Sequence, residues 1–145
     1  MSNKNPVAKA STQKKEKGTV YPMDLAERWR LLILLPQEHD PVELIVIRDI
    51  KSKIYFTQKE ISDFNIHDER YADGRVGVAW NKEGIDYVKD VVFTDLELTT
   101  LKNVFDKPTI KPHFPELLLP LYEIANGLKK TKEALPSSPM NKSSY

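Results

Sequence analysis

Cysteine is absent from the 145 residues, which excludes disulfides, thiolate metal sites and a cysteine nucleophile. Glycine is scarce, with five in the chain, and no glycine-rich loop is arranged to cradle a phosphate or a dinucleotide. The three histidines, His39, His67 and His113, stand far apart with no i, i+4 partner. A metal site needs three or four converging ligands, so no metal and no cofactor is expected, and His39 between Glu38 and Asp40 is expected to be a solvated loop residue. The longest apolar run, Leu31 to Leu35, is far too short to span a bilayer. The N-terminal lysines are not followed by an apolar stretch of the signal-peptide kind. A cytoplasmic protein without a membrane segment is the expectation, with room for one domain.

The formal net charge of +1 is unevenly spread. Residues 1–20 hold five lysines and one glutamate, residues 129–145 four lysines and one glutamate, and the remaining body has 13 basic against 19 acidic residues. Residues 1–20 have too little apolar surface to offset the entropy of ordering, so a disordered basic arm is expected there. A single domain is expected over 21–133. A Ser/Pro-rich disordered tail is expected over 134–145.

Three junctions organise the body: Asp40-Pro41-Val42-Glu43, Thr57-Gln58-Lys59-Glu60 and Thr94-Asp95-Leu96-Glu97. In each, an oxygen-bearing side chain precedes a glutamate by three residues, the spacing of a capping box that starts a helix. A first helix is expected from about Pro22, a residue suited to a first helical turn, to Leu34, with Leu25, Trp29, Leu32 and Ile33 as the stripe that enters the core and Leu31, Leu34 and Leu35 widening it. The second helix follows Asp40, its buried face formed by Leu44, Ile47, Ile50 and Ile54 and widened by Val42, Ile45 and Val46. The third runs from Thr57 to about Phe64, with Asn65 able to take a left-handed stop.

Residues 67–74 read as a polar loop. Val76, Val78 and Trp80 then alternate on one face of a strand, Asn81 to Gly84 read as a turn, and Ile85 to Phe93 as the return strand of a β-hairpin. A helix from Thr94 to about Phe105 follows. In the last helix, with Leu117 to Leu128 at helical spacing, Pro120 either kinks a helix that begins near Pro115 or marks the first turn of one that begins near Leu119; the kinked form is expected. The result is an α+β fold of three N-terminal helices, a β-hairpin and two C-terminal helices, in winged-helix-like order.

The carboxylates Asp86, Asp90, Asp95 and Glu97 are close in sequence, yet nothing in their spacing selects a catalytic pair, and no enzyme is expected. A winged helix would lay its third helix in the major groove of DNA. Here that helix reads Gln58-Lys59-Glu60-Ile61-Ser62-Asp63-Phe64, whose two acids against one base disfavour phosphate. Lys14, Lys15 and Lys17 form the candidate nucleic-acid arm of that alternative.

The segment Leu25 to Pro36, the start Phe56-Thr-Gln-Lys-Glu60 and Ala79-Trp80-Asn81 resemble small hypothetical proteins encoded by phages and prophages, over about residues 21–106. The resemblance implies a phage context, with the host cytoplasm as its compartment, and no activity. A non-enzymatic accessory protein acting through protein–protein interaction is therefore expected, with Tyr71, Arg75, Trp80, Tyr87 and Tyr122 as candidate interface residues.

Overall fold

A computed structural model describes residues 18–37 and 40–132; the lysine arm, Glu38, His39 and the Ser/Pro-rich tail lie outside the described residues. The described residues open with a strand, β1 (Thr19–Asp24), followed by α1 (Leu25–Leu34), α2 (Pro41–Ile54) and α3 (Gln58–Phe64). Next come strands β2 (His67–Arg70) and β3 (Val76–Ala79), a single turn of helix α4 (Lys82–Ile85), strand β4 (Val88–Phe93) and α5 (Asp95–Phe105). Two 3₁₀ turns (Lys111–His113 and Glu116–Leu118) lead into α6 (Leu119–Ala125).

The architecture is α+β, as expected, with two small antiparallel sheets: β1 with β4, and β2 with β3. Three helices followed by a hairpin do occur, but the hairpin is built from other strands than expected. β3 pairs backwards with the polar segment His67–Arg70, and β4 pairs with β1 across the whole domain. The expected turn at Asn81–Gly84 is the helix α4, with the Asn81 side chain accepting from the Gly84 N–H at 3.0 Å. That helical turn carries the chain away from β3.

β1 also corrects the start of the first helix. Pro22 lies in the strand, and α1 begins three residues later, at Leu25 behind Asp24. Tyr21, Met23, Val91 and Phe93 fill the core face of the β1–β4 pair, in the register Tyr21↔Val91 and Thr19↔Phe93. Pro22 takes the opposite row, where its missing N–H costs no ladder bond. Gly18 lets the strand begin against its partner: a Cβ there would lie 2.1 Å from the Phe93 carbonyl oxygen.

These strands pack on α2, α5 and α6, whose Val46, Ile47, Ile50, Ile54, Leu101, Val104, Phe105, Leu121 and Ile124 complete one core. Val42 and Ile45, expected to widen the buried face of α2, are 69% and 52% exposed. Pro120 sits in the first turn of α6, so it opens that helix rather than kinking a longer one; the residues before it take the tighter 3₁₀ form.

The capping boxes at Thr57/Glu60 and Thr94/Glu97 are formed with both reciprocal hydrogen bonds, and Asn65 adopts the left-handed stop at φ 52°. Asp40 caps α2 through the Val42 N–H at 3.2 Å. A further box, Asp24/Glu27, starts α1.

Candidate functional site

All three box glutamates, Glu27, Glu60 and Glu97, are buried, and each has drawn in a cation from another part of the chain. Lys132 donates to both Glu27 oxygens at 2.9 Å, Arg28 to Glu60 and Lys53 to Glu97 at 2.8 Å. A capping glutamate keeps acceptor capacity after bonding the N-cap N–H, and burial makes leaving that capacity unfilled costly.

The Arg28–Glu60 pair shapes the candidate site. Arg28 is fully buried on α1, donating from Nη2 to Glu60 Oε1 at 2.8 Å and from Nη1 to Oε2 at 3.1 Å. Its Nε reaches the Ile54 carbonyl at 3.1 Å and Nη2 the Tyr55 carbonyl at 2.8 Å. The guanidinium thus satisfies the negative end of α2 as well as the carboxylate, and its carbon lies 5.1 Å from the Phe56 ring centroid.

Tyr87 donates to Glu60 Oε2 at 3.0 Å. Burial acts to raise the Glu60 carboxyl, but the hydrogen bonds from Arg28, the Thr57 N–H and Tyr87, together with the Arg28 charge, outweigh it and hold the group down at about 2. Burial, then the adjacent Glu60 carboxylate, raises the Tyr87 hydroxyl.

With Arg28 holding the Ile54 and Tyr55 carbonyls, the Tyr55–Phe56 segment is fixed between two depressions of about 300 Å³ each. One is lined by Trp29, Leu32, Phe56, Ile61, Ile66 and Val78, together with His67 and Asp68. The other is lined by Pro36, Leu44, Ile47, Arg48 and Lys51. Tyr55 is 58% exposed and borders both.

α1 supplies one wall, and this corrects part of the expected stripe. Leu25, Glu27, Arg28 and Leu31 are buried on the helix and Leu35 just after it, while Trp29 is half-buried in the groove and Ile33 is 56% exposed. Leu32 lies between, touching both core and groove. The core takes an arginine because Glu60 and the end of α2 receive it, and the helix is rotated accordingly.

The five candidate interface residues are not brought together. Tyr71 and Arg75 form the tip of the β2–β3 hairpin, the guanidinium 5.2 Å from the ring centroid and bonded to Asp73 at 2.7 Å. The Tyr71 ring also covers Gly77. Trp80 is half-buried against Gly84. Tyr87 belongs to the Glu60 network, and Tyr122 donates to Asp106 at 3.0 Å within a cluster with Phe105 and Phe114.

Lys14, Lys15 and Lys17 lie outside the described residues. On α3, Lys59 pairs with Asp63 at 2.6 Å and Glu60 is turned inward, so the helix offers little charge to a phosphate backbone. Among the described residues no three or more His, Asp or Glu side chains are grouped to hold a metal, and no helix is long and apolar enough to cross a membrane.

Tyr55 and Phe56 carried no periodic signal, since they fall between helices. Trp29 carried one that pointed inward. No family model, curated protein or solved structure matches the chain.

Proposed function

We propose that this chain is a non-enzymatic accessory protein that binds another protein through the face formed by Trp29, Leu32, Tyr55 and Phe56. The observation that carries it is the second apolar stripe of α1. The helix already buries one face in the core, yet Trp29, Leu32 and Ile33 continue outward beside a 58% exposed tyrosine. Aromatic side chains set in a rigid frame at a groove lose little entropy on binding and are the usual anchors of an interface. The Arg28–Glu60 network supplies that frame. The likeness to small phage-encoded proteins suggests a partner in an infected cell.

A photo-crosslinking amino acid at position 55, in cells producing the full chain, should give one discrete adduct that Trp29→Ala removes. The same group at Ile85, exposed but outside the groove, should give none. Adducts of equal yield from both positions would refute the assignment.

A further inference from the structure

We infer that the segment seated on this face is a polypeptide with two apolar anchors, an acidic side chain beside Lys51 in one depression and a basic side chain beside Asp68 in the other. This deepens the proposal above and rests on it. The two depressions meet at Tyr55, so one segment crossing Tyr55 can place an apolar side chain in each.

The charged residues that line them differ in sign. Arg48 and Lys51 line one depression. Lys51 has no ion-pair partner among the described residues, and the carboxylate of Asp49 lies 4.0 Å from Arg48 with both side chains mostly exposed, a contact worth little in water. In the other depression Asp68 likewise has no ion-pair partner among the described residues and stands opposite Val78 in the hairpin. Charges of opposite sign in two adjoining depressions fix the direction and register of a ligand more than its affinity.

The chain's own first seventeen residues, with five lysines and one glutamate, carry the wrong charge for the depression that Arg48 and Lys51 line. A different polypeptide is therefore the better occupant.

The experiment selects a displayed library of random 16-residue peptides on the full-length protein and measures the enriched sequences by fluorescence anisotropy. Peptides that need both Trp29 and Tyr55 should carry an acid at one end and a base at the other. Arg48→Glu with Lys51→Glu should weaken them about three- to tenfold, and reselection on that variant should replace the acid with a base. Peptides that need Tyr55 but ignore the charge reversal would overturn the partner chemistry and leave the binding face standing. Peptides indifferent to Trp29→Ser and Tyr55→Ser in variants with native circular dichroism, or a library that yields no enrichment, would overturn the face as well. Dimerisation in sedimentation that Tyr55→Ser abolishes would assign the face to a second copy and overturn the peptide.

Discussion

Arg28 and Glu60 form the pair whose loss the fold can least absorb. Removing one member strands the other in the interior, a cost on the order of 3–5 kcal/mol. Arg28→Met is therefore expected to lower stability by about that amount in urea titrations at neutral pH, and Arg28→Met with Glu60→Leu by less than the two single changes together. The pair also sets the acid response. The Glu60 carboxyl is held at about 2 in the folded state, below its unfolded value, so its contribution is complete above the unfolded pKa. It is lost as pH falls from there toward 2. Glu60→Gln should flatten that part of the stability profile, and a profile as steep as the wild type's would show that other carboxylates dominate. Which residues form this pair was half legible. Glu60 was readable as a capping glutamate, since the Thr57 box is local. Arg28 was not, because a charge on a helix between apolar neighbours reads as the solvent side until a partner 32 residues away is known.

At the scale of elements, local signals held and long-range pairing did not. The starts of α3 and α5 and the stop at Asn65 depend on a few neighbouring residues, so they could be read directly. β1 depends on β4, about seventy residues on, and Pro22 within it suits a helix start as well as an outward strand position. The alternation in Arg75–Trp80 was visible, but its partner is the polar His67–Arg70, which has no apolar face to announce it.

The β1–β4 ribbon has two outer edges, and a lysine covers a carbonyl on each: Lys132 on Pro22 at 2.8 Å and Lys53 on Val92 at 2.7 Å. Such charges discourage further strands from adding. Where the ribbon begins there is no slack. Gly18→Ala would drive its new methyl into the Phe93 carbonyl, and a loss of about 1–3 kcal/mol is expected. Amide exchange should report it as faster opening of Val91 and Phe93 than of α2.

Over the whole molecule, Lys132 ties the far end of the described chain to its first strand. Its ammonium meets both Glu27 oxygens and the Pro22 carbonyl, and lies 4.8 Å from the Tyr21 ring centroid. The Tyr21 hydroxyl beneath it rests near the Leu121 backbone without reaching hydrogen-bond geometry, and burial, then the carboxylates of Glu27 and Asp24, holds it well above the usual phenol range. Burial likewise raises the Glu27 carboxyl, with Lys132 opposing the shift. Lys132→Met removes that opposition. An acid whose folded pKa is raised costs stability while ionised and regains it as pH falls through that pKa. The variant is thus expected to lose about 2 kcal/mol at pH 7 and to close part of the gap near pH 5 in thermal melts. A gap constant across that range would mean that Glu27 stays ionised without its lysine.

The same attachment decides how the molecule bears force. A pull applied beyond residue 132 reaches the Lys132 side chain, bonded to Glu27 and the Pro22 carbonyl, before it reaches α6 and the core. Lys132 is thus expected to act as a mechanical fuse, yielding ahead of α6 while the Trp29–Tyr55 face keeps its frame.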